Sequence, residues 1–302
     1  MTNKSIYTHT NHPAFLYQEM LSDQYRMQCY RRAINEVVEQ GDVVVDLGTG
    51  TGVLAIMAVQ AGASHVYAVE VRPQIIPITR QIIADNGMSE QITVIEGDAR
   101  NITLTESVDV IINELIGDFG TDENIAECVN AVAERYLKPS GTILPRTLKT
   151  YLVPVQYQNE YQGIWRENFQ GIDLKSVAKL DCVEEAQMRI LSHQPTELAT
   201  PQLIENIDFS KDKKPRLLAH DIEFHVHTAG ALHGFMGYFE SELTHNVSIN
   251  NYPGYKGCHW QTWHWPVYPT LNVEKSASIN GMLATPENMI AQGWNLTWSH
   301  KA

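Results

Sequence analysis

The sequence has 302 residues and a formal net charge of −13 at pH 7, because 35 acidic residues outnumber 22 lysines and arginines. At roughly 150 residues per domain, this length predicts about two domains. The acidic balance argues against direct binding to nucleic acid or to an anionic membrane, because both require concentrated Lys and Arg.

The four cysteines are widely spaced and form no CxxC pair, so neither a zinc site nor a disulfide framework is expected. The first residues lack the apolar stretch of a secretory signal, and no run reaches the ~18 apolar residues of a membrane span. We therefore expect a cytoplasmic protein that binds no metal ion and does not enter a membrane.

The first half of the chain alternates strand and helix patterns. Continuous apolar runs, typical of buried parallel strands, alternate with helical periodicities that end at glycines. The predicted strands are Val43–Asp46, His65–Glu70, Ile92–Glu96, Val108–Asn113 and a fifth within LKPSGTILP. The predicted helices are Gln24–Gln40, Val53–Ala61, Gln74–Asn86 and Asn124–Tyr136. Repeated βα units predict an α/β fold with a doubly wound parallel sheet, over residues 1–145.

After about Pro145 the long helical periodicities become rare, and short apolar and aromatic strands dominate. The predicted strands are Tyr151–Val155, Ile222–Thr228, Gly237–Leu243 and His259–Val267. Residues 146–302 are therefore predicted to form an all-β domain, a small barrel or sandwich. Within it, Asn159–Lys179 carries aromatic residues at helical spacing, which predicts either an ordinary core helix or a separate arm.

A glycine-rich loop, with Gly48, Gly50 and Gly52, follows the first predicted strand. Glycine lets the chain turn tightly and lets a ligand approach the backbone, and the following helix N-terminus attracts a carboxylate. Asp46 precedes the loop and can meet a cationic amine, while Glu70 ends the next strand and can bind both hydroxyls of a ribose. A ligand with an amine, a carboxylate and a ribose is S-adenosylmethionine, which we predict as the cofactor.

Two other interpretations of this region exist. A dinucleotide site of the GxGxxG type would need glycine where Val53 stands, so NAD is disfavoured. The second alternative interpretation is a tight glycine turn that binds no ligand. Asp98, after the third strand, can accept hydrogen bonds from the adenine amine or can simply cap a turn, and the sequence does not choose between these roles.

Two glutamates flank the loop after the fourth strand. Glu114 stands at the carboxyl end of the strand, where α/β sheets bind their ligands, and Glu123 follows nine residues later. A loop of this length can bring both carboxylates to one place. Neighbouring carboxylates repel each other unless a cation joins them, and a guanidinium matches them with its planar fork. Alone, Glu123 would be an ordinary acid at a helix start.

These motifs resemble those of the protein arginine methyltransferases, and they follow in the family's order along nearly the whole chain. DLGTGTGVLAIMAVQAGASHVYAVE resembles the donor-binding motif, NELIGDFGTDE the double-glutamate loop, and YQEMLSDQYR the N-terminal helix. GCHWQTW resembles the Thr-His-Trp loop, with Cys258 in place of threonine, and LHGFMGYFESEL a strand pair of the barrel.

The resemblance implies a role for each matching residue. Arg26 would bind the donor carboxylate, and Glu114 and Glu123 would bind the guanidinium of an arginine in a protein or peptide substrate. Asp23 and His259 would form a carboxylate–imidazole pair beside the site. The resemblance also implies that the arm at about 159–179 docks on a second copy, which predicts a homodimer.

The sequence departs from the family near its N-terminus. The Tyr-Phe-x-x-Tyr motif that closes over the donor is missing, and Tyr7, Phe15 and Tyr17 are spaced differently. The Glu-Leu-Ile-Gly loop and the His259-Trp260 pair point to different product classes, so mono-, symmetric and asymmetric methylation all stay open. Two other functions also remain open: methylation of a small guanidino compound or another side chain, and a non-catalytic donor-binding scaffold.

Overall fold

The computed structural model describes residues 13–158, 170–177, 180, 185–189, 191, 193–211, 218–257, 260–285 and 294–301. The chain separates into two compact units, each made of two stretches of sequence. The first comprises Met1–Glu114 and Cys128–Pro145, and the second comprises Leu115–Glu127 and Arg146–Ala302. The loop after Glu114 therefore groups with the second unit, although it lies inside the predicted N-terminal domain.

The first unit is built on a five-stranded, all-parallel sheet with the order β3-β2-β1-β4-β5. Its strands are β1 (Val43–Leu47), β2 (His65–Glu70), β3 (Ile92–Glu96), β4 (Val108–Asn113) and β5 (Leu137–Leu144). Its helices are α1 (Pro13–Ser22), α2 (Gln24–Val37), α3 (Val53–Ala61), α4 (Ile76–Asp85) and α5 (Ile125–Tyr136), whose first turn belongs to the second unit. The predicted α/β fold is confirmed.

Strand β1 is central in this sheet, and all five of its residues are buried. It pairs with β2 on one side and β4 on the other, with Asp46 opposite Ala68 and Ile112. Strand order changes direction at β1 and β4, which is where ligands bind in open α/β sheets. The carboxyl ends of these strands carry the glycine loop and Glu114.

The second unit is dominated by antiparallel strands. One path runs β7-β13-β11-β6-β8, with β12 on β11 and β9 on β6, and a three-stranded sheet runs β10-β14-β15. The strands are β6 (Thr147–Gln156), β7 (Gln187–Arg189), β8 (Thr196–Glu197), β9 (Gln202–Asp208), β10 (Ala219–His225), β11 (Gly230–Glu242), β12 (Ser248–Asn250), β13 (Thr262–Val273), β14 (Ser278–Ala284) and β15 (Asn295–Lys301). A 3-10 turn, Thr121–Glu123, also belongs to this unit.

The core of the second unit is aromatic, and it includes a residue from the loop after Glu114. Phe119 is fully buried and packs edge-on against Trp265 and Trp294, with ring centroids 5.4 Å apart in both pairs. An added Cβ on Gly237 would lie 2.5 Å from the Phe119 ring, so glycine is needed where the ring meets β11. Burying a phenylalanine side chain contributes about 1.5–3 kcal/mol, which anchors this loop within its unit.

The predicted arm at 159–179 lies mostly outside the described residues, because 159–169 and 178–179 are among those not described. The dimer it implies stays a prediction. His259 is likewise outside the described residues. Within the described part of the chain, no helix is both long and apolar enough to cross a membrane.

Candidate functional site

The glycine loop adopts the left-handed conformations that its sequence predicts. Gly48, Gly50 and Gly52 have φ angles of 74°, 54° and 82°, and α3 begins directly after Gly52. Other residues incur a steric penalty in this region of φ, and glycine does not. The turn delivers the chain from the end of β1 to the N-terminus of α3, whose unpaired amide groups favour negative ligand groups.

Glu70 is buried at the end of β2 and faces this loop. Its Oε2 accepts the amide hydrogen of Gly50 at 2.9 Å, and its Oε1 accepts the amide hydrogen of Arg72 at 2.9 Å. The hydroxyl of Tyr17, from α1, lies 3.5 Å from the same Oε2. Burial and the neighbouring Glu70 charge both raise the pKa of Tyr17, so the phenol stays neutral. The carboxylate predicted to bind the ribose thus has its position fixed by the backbone.

Asp46 is fully buried at the carboxyl end of β1. Its Oδ2 accepts a 2.6 Å hydrogen bond from the hydroxyl of Thr49, while its Oδ1 accepts none from the residues that the structure describes. Desolvation raises the pKa of Asp46 to about 7, and the bond from Thr49 opposes this rise. A buried carboxylate with an open acceptor is stabilised by an added donor or cation, such as an ammonium group.

Asp23 and Arg26 lie at the start of α2, and both side chains are buried. Asp23 is the helix N-cap, and its Oδ1 accepts the amide hydrogen of Arg26 at 2.9 Å. The Arg26 guanidinium donates from Nη1 to Glu114 Oε2 at 2.7 Å and from Nη2 to the carbonyl of Met20 at 2.6 Å. The structure therefore joins Arg26, predicted to bind the donor carboxylate, to Glu114, predicted to bind the guanidinium.

These groups surround one cavity within the first unit, with an empty volume of about 450 Å³ including its opening to solvent. Its walls come from α1, the start of α2, the glycine loop and the end of β4. The lining residues include Tyr17, Arg26, Gly48, Gly50, Thr51 and Glu114. Asp46, Gly52 and Glu70 do not line it directly, although each borders the loop that does.

Asp98 lies outside this cavity, in the turn after β3. Its carboxylate pairs with the Arg100 side chain and accepts the Arg100 amide hydrogen at 2.9 Å. The hydrogen bond from the Arg100 guanidinium is the largest cause that lowers the pKa of Asp98. This geometry is that of a turn aspartate, and the adenine role stays a prediction.

Glu123 ends the 3-10 turn of the second unit, and its side chain is exposed. Glu114 belongs to the first unit, so the predicted convergence of the two carboxylates stays a prediction. Within the second unit, the loop that carries Glu123 is fixed by polar contacts. The Thr121 hydroxyl donates to Glu205 Oε2 at 2.7 Å, and the Trp260 indole donates to the carbonyl of Ile116 at 2.9 Å.

Three residues of the site were not identified from the sequence as ligand-site residues. Tyr17 covers Gly50, the Thr79 hydroxyl donates to the Gly50 carbonyl at 2.5 Å, and the Tyr30 hydroxyl donates to the Asn113 carbonyl at 3.2 Å. Tyr30 follows Arg26 by one helical turn, a spacing visible in the sequence. Thr79 offers no such signal, because only the packing of α4 brings it to the loop.

Comparison with known proteins identifies relatives of this chain. A family model for ribosomal protein L11 methyltransferase (PrmA) matches residues 28–144. The Arabidopsis thaliana protein named "Probable protein arginine N-methyltransferase 6" is 32% identical over 248 residues, which cover 79% of this chain and 56% of that protein. The "Histone-arginine methyltransferase CARMER" of Drosophila ananassae is 32% identical over 258 residues, which cover 80% of this chain and 48% of that protein.

Over about four fifths of its length, the chain is therefore similar in sequence to proteins named as arginine methyltransferases. It spans about half the length of these curated relatives. Solved arginine methyltransferase structures share its fold over nearly its whole length. The Trypanosoma brucei PRMT1 enzyme–prozyme heterotetrameric complex with AdoHcy has a TM-score of 0.77 at 22% identity, covering 94% of this chain and 96% of that one. Arabidopsis thaliana protein arginine methyltransferase 10 has a TM-score of 0.75 at 24% identity, and the match covers 95% of this chain and 98% of that one.

Proposed function

We propose that this protein transfers a methyl group from S-adenosylmethionine to a guanidine nitrogen of arginine in a protein or peptide. The observation that carries the proposal is the cavity of the first unit. It joins a glycine loop, a buried arginine and Glu114 at the carboxyl ends of adjacent strands. Sequence similarity to proteins named as arginine methyltransferases supports the choice of substrate.

The residues present fit the methyl donor. The open acceptor of buried Asp46 fits the donor's ammonium group, and Arg26 would bind its carboxylate. Glu70, already oriented by two backbone amides, would bind the ribose hydroxyls. The glycine loop leaves the backbone open to close approach. When bound, the donor supplies a methyl group activated by a sulfonium.

The protein's task is then to prepare the guanidine nitrogen. A protonated guanidinium is a poor nucleophile because its lone pairs are delocalised. In this proposal, Glu114 accepts a hydrogen bond from the reacting nitrogen, which raises the electron density on that nitrogen and leaves the positive charge on the other nitrogens, while Glu123 orients the group. Holding the nitrogen in line with the methyl carbon can remove roughly 7–11 kcal/mol of the barrier. Asp23 and His259 are the proposed relay for the released proton.

The assembly and location of the protein are part of the same proposal. We infer a homodimer, because the arm at about 159–179 resembles the family's dimerisation arm, and the Trypanosoma brucei relative of the same fold is part of a heterotetrameric complex. We also infer a cytoplasmic location, because the four widely spaced cysteines suit a reducing compartment. Sedimentation of the purified protein and microscopy of a tagged chain test these two inferences.

The central experiment is the substitution Glu114→Gln. We expect turnover of an arginine peptide to fall by about 100-fold or more, because a neutral amide polarises the guanidinium far less well. Donor binding should persist, because Arg26 remains available to a carboxylate. Radiolabelled methyl transfer and calorimetric binding of S-adenosylhomocysteine measure the two effects. Glu90→Gln, an exposed substitution in the same unit, is the matched control.

Wild-type turnover in the Glu114→Gln variant would refute the assignment. The same assay separates the other candidate functions. Labelling of free guanidino compounds or amines, but not of arginine peptides, would favour a small-molecule methyltransferase. Donor binding without transfer to any substrate would favour a non-catalytic scaffold.

A further inference from the structure

Asp118 lies in the loop between the two predicted guanidinium-binding glutamates, and its surroundings are unusual for a loop aspartate. It is partly buried in the second unit, and its Oδ1 accepts the amide hydrogen of Gln261 at 2.7 Å. Its backbone carbonyl accepts a 2.7 Å bond from Asn251 Nδ2. The same amide group of Asn251 also donates to the Gln261 carbonyl at 2.6 Å.

Asp118 and Asn251 thus connect two chain segments that are far apart in sequence. One segment carries Glu123. The other, Trp260–Gln261, directly follows the predicted catalytic His259 in the sequence. Asn251 is itself fixed, because its Oδ1 accepts the amide hydrogen of Phe239 in β11 at 2.7 Å. Asp118 and the buried Asn251, together with the bond from the Trp260 indole to the Ile116 carbonyl, therefore hold the two segments in register.

The charge of Asp118 adds to this positional role. Burial raises the pKa of Asp118 to about 6, the Gln261 amide opposes the rise, and the charge of Glu123 adds to it. The Glu123 charge is the smallest of these three causes, and it acts on Asp118 in the same direction as burial. A cation bound at Glu123 would be attracted by Asp118 as well and would relieve the repulsion between them.

We propose that Asp118 is a positioning residue that fixes the Glu123 loop against the segment after His259 and strengthens the capture of the substrate guanidinium at Glu123. The proposal rests on the function proposed above. Asp118 itself touches no substrate in it, because its carboxylate is engaged with the Gln261 backbone. The positioning of the loop and the attraction of the guanidinium can be tested separately. The hydrogen bond to Gln261 requires only an acceptor oxygen on residue 118, whereas the attraction requires its negative charge.

Two substitutions separate these effects. Asp118→Asn keeps an acceptor oxygen for Gln261 but removes the charge, so KM for an arginine peptide at pH 7.5 and low salt should rise about five- to tenfold with kcat little changed. Asp118→Ala removes the acceptor too, so kcat should also fall. Asp221→Asn, an exposed substitution in the same unit, controls for the loss of one negative charge.

A pH profile supplies a readout that a purely structural role would not move. The groups that face Asp118 are Glu123, the Gln261 amide and Asn251, and Glu123 is the charged one among those described. In the wild type, KM should rise as pH falls from 7.5 to 5, because Asp118 becomes protonated. In Asp118→Asn, KM should start high and stay flat. If a histidine were the titrating group instead, the same pH dependence would remain in both proteins.

Calorimetry with S-adenosylhomocysteine present measures the affinity for the arginine peptide without turnover. We expect this affinity to change with pH and with Asp118→Asn in the same direction as the KM indicates. An active wild type whose KM and pH profile are unchanged by Asp118→Asn would overturn this inference alone. A wild type that neither binds nor methylates arginine peptides would overturn the proposed function and this inference together.

Discussion

Gly50 shows how a single residue governs access to the cavity. Its φ of 54° suits glycine, and an added Cβ would lie 2.4 Å from Cε1 of Tyr17. The backbone conformation could be predicted from the glycine spacing in the sequence. The contact with Tyr17 could not, because Tyr17 reaches the loop only through the packing of α1. The same holds for the pairing of Arg26 with Glu114, which are 88 residues apart.

We predict that Gly50→Ala weakens binding of S-adenosylhomocysteine at least about tenfold, because the methyl group displaces Tyr17 or shifts the loop. Gly87→Ala is the control, since Gly87 also has a positive φ, 70°, but no atom within 4 Å of the added Cβ. Calorimetric titration measures both. Removing the opposing ring, in Gly50→Ala with Tyr17→Ala, should recover part of the affinity if the clash is the cause. If Gly50→Ala and Gly87→Ala lost the same affinity for S-adenosylhomocysteine, the loss would be due to backbone strain and not to the contact with Tyr17.

At the scale of the element, the residue at the start of helix α2 has two roles. Asp23 caps the helix by accepting the Arg26 amide hydrogen, and it is also the proposed partner of His259. The helix itself could be predicted from its periodicity, although the structure ends it at Val37 rather than Gln40. The sequence pattern assigned Asp23 to a helix, but only the structure shows that it is buried as the cap.

Asp23→Asn and Asp23→Ala should separate these two roles. Asparagine is as good an N-cap as aspartate, so Asp23→Asn should keep the free energy of unfolding within about 0.5 kcal/mol, while Asp23→Ala should lower it by about 1–2 kcal/mol. If the carboxylate also serves the proton relay, both variants should lose turnover. Urea unfolding and the methyl-transfer assay measure these effects. Full activity in a stable Asp23→Asn variant would leave Asp23 as a cap only.

At the scale of the whole molecule, the two units differ in how far their sequence predicts them. Strands β1, β2 and β4 are buried along nearly their whole length and form short apolar runs, so they could be predicted. The edge strands β3 and β5 are more exposed, and the regular alternation of strands and helices predicts them. In the second unit, the sequence pattern did not predict β7, β8, β9, β12, β14 and β15. β15 lies at the edge of its sheet, and its alternation of apolar and polar residues is limited to two partly buried positions, Leu296 and Trp298, which is a short signal. It pairs with β14, the strand before it in the sequence, and residues 286–293 of the connection lie outside the described part of the chain.

The pH dependence of stability follows from a carboxylate of the first unit. The pKa of Asp46 is about 7 in the folded protein, against an ordinary value of 3.8. Because the folded state binds this proton more tightly, the stabilisation it gives is full below pH 4 and is lost as pH rises through 7. At about 1.4 kcal/mol per unit of pKa, ionising Asp46 costs on the order of 4 kcal/mol.

We therefore predict that Asp46→Asn removes this part of the pH dependence. Relative to the wild type, the variant should gain stability between pH 5 and pH 7 and change little above pH 7, because it has no carboxylate to ionise. Chemical unfolding at several pH values measures the difference. S-Adenosylhomocysteine should reduce that difference, because its ammonium group favours the ionised Asp46 of the wild type. Parallel stability curves for the two proteins would show that Asp46 does not titrate in this range and would remove the electrostatic reason for placing the ammonium group beside it.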